Sequence, residues 1–528
     1  MQLSLPFEPL VILHRLKQAG YEAYIVGGAV RDLLSHRYSS KTDFDFTTNA
    51  TPEQIQAVFP ESFYENQFGT VSLTKKDAWE LCGLALEEQA DEENNDTPSP
   101  DRVNLQEVTK LHPSLRGKHP SGKLPTYDIP NVPKNYEITT YRSEGRYTDH
   151  RRPDEVTWGE TLHDDLSRRD FTMNAMAIEV KDAFLNNFFS QTITAGQADQ
   201  HVQLETADYT LIDPFGGHTH LQSDTLQPVG DPATRFEEDA LRMLRAIRFS
   251  VQLNARMTDE TFTAISRLAE QIQYVSWERI RDEFLKMLGS AYPAEAIELL
   301  NDTGLLHYIL PELREGIHIE QGGHHTTDVW THSLDALASC PSLDPIVRFA
   351  TLLHDVGKPR TLKYIDGKPT FYNHEHVGAR MAREIAERFR LSRRDVNRIH
   401  TLVRHHMFQY QPQNTDAAVR RFMRKVGLEN INDILDLREG DRLGSGARKT
   451  SWRLEEMKQR MIEQLHQPFD VTDLAVNGNE LMSELQLKPG PILGKLLHAL
   501  FEEVMENPEL NTKEKLIERA RVLYPTLS

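Results

Sequence analysis

The sequence predicts an α+β protein, a mixed α/β head followed by a chain that is all-α to its end. Three observations carry this. Short β-rich runs alternate with helical stretches through the first 225 residues or so, whereas helical patterning dominates beyond. The 528 residues are too many for one core, and at roughly 100–200 residues per domain two to four are expected.

In order, apolar residues from Leu10 to Ala19 fall at helical spacing and Gly20 stops the helix. Ala23–Val26 reads as a strand, and Gly27-Gly28 turns the chain into a helix over Ala29–Leu34. Further strands are expected at Phe44–Thr47, Gly69–Thr74, Glu137–Tyr141 and Met176–Ile178. Residues 84–133 have no periodicity: the first half is acidic and the second holds HPSLRGKHPSGKLP, so a long disordered insertion between two strands is predicted. The segment RFEEDALRMLRAIRFSVQL opens the helical part.

The net charge of −19 argues against nucleic acid as a partner only if charge is spread evenly, and it is not. Residues 87–101 carry seven acids and no base, while RMAREIAERFRLSRRDVNR and VRRFMRK lie within residues 380–425. No apolar run approaches the roughly 18 residues of a spanning helix, so no membrane partner is expected. Two cysteines and no secretory leader fit a cytoplasmic setting.

The densest chemistry is in IVGGAVRDLLSHRYSSKTDFDFTT. Gly27 and Gly28 let backbone approach a ligand, and the helix after them turns free N–H groups toward phosphate oxygens. In Asp43-Phe44-Asp45, strand alternation sends both carboxylates to one face and Phe44 to the core. Such a pair attracts Mg²⁺ for phosphoryl or nucleotidyl transfer. In RRDFTMNAMA, read as the start of a helix that Asp170 or Thr172 caps, Arg168 and Arg169 suit triphosphate oxygens, and Asp170 and Asn174 suit ribose hydroxyls. Asp239 and Arg242, three apart on one helix face, either form an ordinary surface ion pair or read the edge of a base.

The ordered motifs GGAVRD, DFDFTT, YEITTYR, DHRRPDEV, RRDFTMNAMA, LIDPFGG, FEEDALRMLRAIRF and VSWERIRDE resemble the bacterial CCA tRNA nucleotidyltransferases, the class shared with bacterial poly(A) polymerases. The resemblance implies a polymerase β-like head with Asp43 and Asp45 as catalytic Mg²⁺ ligands. It also implies Asp239 and Arg242 as a protein template for CTP and ATP, Arg279 as a support for that template helix, and tRNA as the acceptor. Gly27, Gly28, Arg31, Arg168, Arg169, Asp170, Asn174, Arg245 and Arg248 complete the nucleotide-binding set. Glu137 is a candidate third carboxylate. Arg151, Arg152 and Asp154 fall in the flexible loop that CC-only enzymes lack, which leaves CCA addition and addition of the terminal A alone, with poly(A) synthesis as a further alternative.

Nine of the 22 histidines lie within residues 324–406. Imidazole with carboxylate suits Zn, Mn, Fe or Co better than Mg. The run LLHDVGKP resembles the HD metal-dependent phosphohydrolase domain found in many bacterial members of the family. That resemblance implies His332, His354, Asp355 and Asp441 around one divalent transition metal, with His374 and His405 near a second. A phosphohydrolase with a head that only binds RNA or nucleotide is the alternative of another class. The expected divisions are a head over 1–225, a helical neck that recognises the base over 226–300, an HD domain over 301–460 and a helical tail over 461–528.

Overall fold

Residues whose apolar side chains alternate with polar ones build a seven-stranded sheet at the centre of the head: β1 Ala23–Val26, β2 Asp45–Thr48, β3 Phe63–Tyr64, β4 Thr70–Thr74, β5 Asn135–Thr140, β6 Ala177–Val180 and β7 Tyr209–Ile212. The computed structural model describes residues 2–37, 42–64, 70–82, 135–143, 157–191, 201–322, 327–408, 410–446 and 451–527. The predicted insertion at 84–133 and the loop residues Arg151, Arg152 and Asp154 lie outside them.

The strand order is β7-β6-β1-β2-β5-β4-β3. All neighbours are antiparallel except β2 and β5, which run parallel with Asp45 opposite Glu137. Ile25, Phe46, Ile138 and Ile178 are fully buried, and helix Phe7–Gln18 adds Leu10, Leu13 and Leu16 to the same core. Burying a side chain of this size contributes about 1.5–3 kcal/mol, so a few such residues suffice to fix which face of the sheet points inward. The expected strands are all present, displaced by one or two residues, and Gly20 ends the first helix at φ +89°.

The chain forms two compact units, one running to Pro311 and the other from Glu312 onward. In the first, helices Pro232–Glu238, Leu241–Leu253, Asp259–Leu268, Trp277–Leu288 and Pro293–Asp302 follow the sheet. The second is helical, with an apolar cluster in its last part around Leu481, Leu496, Leu500, Phe501 and Leu516.

Two small departures from an all-α remainder occur. Arg256–Met257 pairs in parallel with Thr225–Leu226, and Lys363–Ile365 forms a hairpin with Lys368–Thr370. The hairpin turns on Asp366 and Gly367, both at positive φ, the pair of conformations a two-residue turn of this kind demands. Among the described residues no helix is long and apolar enough to cross a membrane.

Candidate functional site

In the head, Phe44 is 1 % exposed while Asp43 before it is exposed and Asp45 after it half-buried, the alternation an Asp-x-Asp strand needs. Asp43 stands before the first residue of β2, and Glu137 on β5 sits in register with Asp45. Burial pushes the Asp45 carboxyl up to about 6; Arg169 opposes the rise, and the Glu137 and Asp43 charges add to it. Three acidic groups thus share one end of the two central strands β2 and β5.

Gly27 stands beside this end at φ +75°, and a Cβ there would meet Arg169 Nη1 at 2.8 Å and Asp45 Oδ2 at 3.4 Å. A side chain here would have to displace the Arg169 guanidinium, and L residues avoid that φ. Arg169 and Arg168 are both aimed by Asp165, a fully buried acid that sequence reasoning passed over. It accepts from Arg168 Nε at 2.9 Å and Nη2 at 2.6 Å, and from Arg169 Nη2 at 3.2 Å. Its spacing of three and four residues before the two arginines was the available signal.

The stretch RRDFTMNAMA does not begin a helix. Arg168 ends helix Leu162–Ser167, and Thr172–Asn174 is a single 3-10 turn without a side-chain cap. Asp170 instead accepts from the Phe171 N–H at 2.9 Å and from Arg245 Nε and Nη2 at 2.8 and 2.5 Å. Burial alone would raise its carboxyl, but Arg245 and the hydrogen bonds outweigh this and hold it near 2. Asn174 donates to Asp170 at 3.3 Å and accepts from Arg31 Nη1 at 2.8 Å. Behind the turn Gly217 packs so tightly that a Cβ would lie 2.1 Å from the Thr172 carbonyl oxygen, and Asp213 of LIDPFGG accepts the Gly217 N–H at 2.7 Å. Gly28 opens helix Gly28–Leu34.

Asp239 and Arg242 do not share one continuous helix face; the Arg242 N–H donates to the Asp239 carbonyl at 2.9 Å. The helix breaks at Asp239, which is extended between Pro232–Glu238 and Leu241–Leu253 and accepts the Leu241 N–H at 3.1 Å. A local bond of this type competes with helical geometry, which is why Asp interrupts the pattern here. Arg279 clamps Asp239 with Nη1 at 3.2 Å and Nη2 at 2.7 Å, and Arg242 donates to Glu238 and to the Arg235 carbonyl. Arg235, itself buried, donates to the carbonyls of Arg168 and Arg169 at 2.6 and 3.1 Å. Arg248 donates to Glu283 and lies over the Phe249 ring, which Arg31 and Arg245 also approach. Asp170, Asn174, Arg31 and Arg245 thus form one connected set of contacts, and Arg168, Arg169, Arg235 and Arg242 another.

In the second unit, two trios of potential metal ligands occur among the described residues: His332, His354 and Asp441, and Asp355, His374 and His406. Asp355 joins them, with Oδ2 3.3 Å from His332 Nε2 and 3.1 Å from His354 Nε2, and Oδ1 3.3 Å from His374 Nε2 and 3.6 Å from His406 Nε2. His406, not His405, completes the second trio. Ile399, Leu402, Val403 and His406 lie at i, i+3, i+4 and i+7, so helical phase turns His406 inward and leaves His405 on the flank. Burial, followed by Arg404, brings His405 down to about 4.

His354, His374 and His406 hold their Nδ1 atoms 2.7–2.8 Å from the carbonyls of Thr351, Phe371 and Val403, which turns each Nε2 toward the cluster. His354 is pushed up to about 10: burial acts against it, and the Asp355 and Asp441 carboxylates prevail. Lys358 sits 2.6 Å from Asp355 Oδ2. Gly440 and Gly444 bring helix Ile431–Gly444 against Ala336 of helix Val329–Ser339, where a Cβ would come within 2.7 and 2.5 Å of backbone. That close approach carries Asp441 to His332, 3.3 Å away.

Known proteins share both the head and the helical remainder. The chain matches the "Poly A polymerase head domain" over residues 23–107 and 102–227, the "Probable RNA and SrmB- binding site of polymerase A" over 255–317, and a "tRNA nucleotidyltransferase domain 2" over 373–520. An A-adding tRNA nucleotidyltransferase of Deinococcus radiodurans is 35% identical over 356 residues, 65% of this chain and 75% of that protein. A CCA-adding enzyme of Geobacillus sp. is 35% identical over 59% of this chain and 56% of its own length, so the chain spans little more than half of that relative. The crystal structure of Bacillus stearothermophilus CCA-adding enzyme in complex with CTP aligns over 98% of both chains at 25% identity and a TM-score of 0.61. With an α/β head of the poly(A) polymerase type and this relationship along its length, the chain belongs to the tRNA nucleotidyltransferase family.

Proposed function

We propose that the protein adds CCA to the 3′ end of tRNA, taking CTP and ATP as donors and using no nucleic-acid template. The observation that carries this is the meeting of Asp45, Gly27 and Arg169 at one end of the central strands, with Asp43 and Glu137 beside Asp45. The acidic donor set suits Mg²⁺, held by Asp43 and Asp45, with Glu137 as a third carboxylate. Bound there, divalent ions supply activation of the tRNA hydroxyl and charge stabilisation for the departing pyrophosphate.

The chain's own residues do the positioning. Gly27 leaves room for the phosphates, Arg168 and Arg169 grip their oxygens from the Asp165 anchor, and Asp170 and Asn174 meet the ribose. Asp239 and Arg242 face the base edge, and Arg279 fixes the angle of Asp239. Arg31, Arg245 and Arg248 hold this assembly together rather than touching the reacting phosphate.

Extension of a tRNA transcript lacking CCA, resolved on a gel beside one ending in CC, tests the reading. Stepwise growth of both, halting at CCA, is expected. Growth of the CC transcript alone by one A places the protein with the A-adding relative from Deinococcus. Asp45→Ala should abolish extension with an unchanged melting profile, and wild-type rates in that variant would remove the assignment.

A second reading concerns the histidine cluster, which we infer to be a two-position HD centre for a divalent transition metal with phosphohydrolase activity. Four imidazoles and two carboxylates fit such a metal, and backbone carbonyls on three Nδ1 atoms select the ligating tautomer. A bound ion there supplies a hydroxide nucleophile and Lewis acidity. On this reading the head ends near residue 225, the neck near 300, and the HD domain near 460, ahead of the tail. A cytoplasmic location accords with the substrates proposed.

A further inference from the structure

The two halves of the proposed site meet different parts of the nucleotide: Asp239 and Arg242 the base, Arg168 and Arg169 the triphosphate. One buried residue, Arg235, touches both halves. It lies in the last turn of helix Pro232–Glu238, where carbonyl oxygens run out of helical partners. The Arg235 carbonyl accepts from the Asp239 N–H at 3.4 Å and from Arg242 Nη1 at 3.1 Å, so both base-facing residues hang on one oxygen. Arg235 Nη1 donates to Glu238 Oε2 at 2.8 Å, the same oxygen that takes a bond from Arg242 Nη1.

The other fork nitrogen serves the other half. Arg235 Nη2 donates to the Arg168 carbonyl at 2.6 Å and to the Arg169 carbonyl at 3.1 Å. Those carbonyls belong to the two residues whose guanidinium groups Asp165 aims. A planar guanidinium, with its donors at fixed angles, joins such points rigidly, where an ammonium on a flexible stem does not.

We propose that Arg235 is a positioning residue that couples the fit of the base to the grip on the triphosphate, and so sets specificity in the chemical step. This rests on the nucleotidyl-transfer reading of the head. With a matching base, Arg242 stays on Glu238 and the backbone under Arg168 and Arg169 is held. With a wrong base, Arg242 gives way, the shift passes through Glu238 and Arg235, and the α-phosphate is set out of line. A displacement of about 1 Å slows such a transfer on the order of a hundredfold. Selection is thus made twice, once in binding and again in the rate.

The test is single-turnover incorporation by the full chain, with Mg²⁺, of CTP against UTP on a tRNA transcript lacking CCA. ATP against GTP on a transcript ending in CC is the parallel pair. Maximal rate and nucleotide Kd are measured separately. Arg235→Lys keeps the charge beside Glu238 but cannot hold both halves at once. In it the CTP-to-UTP ratio of maximal rates is expected to fall at least about tenfold, through a slower CTP rate, while the ratio of Kd values stays within about threefold. Each ratio is taken within one preparation, so an unfolded fraction cancels. Glu238→Gln loosens the same link from its other end and should move the rate ratio the same way, which keeps the test intact if Arg235→Lys does not fold.

An unchanged rate ratio in the variants, including rates lowered by one common factor, would reduce Arg235 to a structural part and overturn the proposal. A wild-type chain that selects through Kd alone would do the same. No extension of either transcript by the wild type would overturn the nucleotidyl-transfer reading and the coupling with it. Addition of A without C would overturn the CCA assignment alone, and the ATP-to-GTP ratio then decides the coupling by the same criteria.

Discussion

At Asp45 the protein keeps a carboxyl half out of water among two other acids, and Arg169 offsets part of the cost. A group raised to about 6 is half protonated at that pH and ionised at pH 8, and a cation can bind only the ionised form. Mg²⁺ binding should therefore release roughly half a proton per chain at pH 6 and almost none at pH 8. Calorimetry in buffers of different ionisation enthalpy measures this, and Asp45→Asn should remove the pH 6 release. Most of this chemistry was legible in the sequence, because Asp43, Phe44 and Asp45 obey the two-residue alternation of a strand. Asp165 was not: its role depends on full burial under two arginines, and nothing in HDDLSRRD distinguishes it from Asp164 except the phase of a six-residue helix. His406 was legible in principle, from the phase of Ile399, Leu402 and Val403, but two adjacent histidines invite the wrong choice.

Between elements, the informative places are those where one backbone touches another. The break at Asp239 came from a competition that periodicity does not see, since FEEDALRMLRAIRF reads as one continuous amphipathic helix. Because Arg279 reaches across 40 residues to clamp Asp239, Arg279→Ala and Asp239→Ala should disturb the choice between CTP and ATP in the same direction. Single-turnover incorporation of each nucleotide reads this out, and an unaltered ratio in Asp239→Ala would remove the template role. In the second unit, Gly444 lets two helices meet at backbone distance. Gly444→Val should cost about 1–3 kcal/mol through overpacking and also separate Asp441 from His332. Denaturant unfolding checks the first effect and metal stoichiometry the second. Glycines four apart in REGDRLG were a visible sign of close helix approach, though not of which helix they would meet.

Across the whole molecule, the α/β head and helical remainder followed from patterning, while the short Lys363–Thr370 hairpin escaped it because each strand is only three residues long. The two units divide after Pro311, near the boundary expected between residues 300 and 301. If the buried cluster of the second unit is a metal centre, an ion that binds only the folded chain should raise its stability, by about 2.7 kcal/mol at a hundredfold excess over Kd. Scanning calorimetry with added Mn²⁺ or Zn²⁺ should show an upward shift that His354→Ala abolishes. A shift of equal size in that variant would place the ion elsewhere.

Asp355 gives one oxygen to each trio, and it is a single negative charge divided between two positions. An ion at either position polarises that charge toward itself and leaves less for its neighbour, besides repelling a second cation directly. Loading should accordingly be anticooperative: a tight first equivalent and a looser second, separated on a titration curve. On the phosphohydrolase reading, the protein would then hold one ion almost permanently and exchange the other with its surroundings, so that supply of a trace metal would grade the proposed activity of this unit without touching the head.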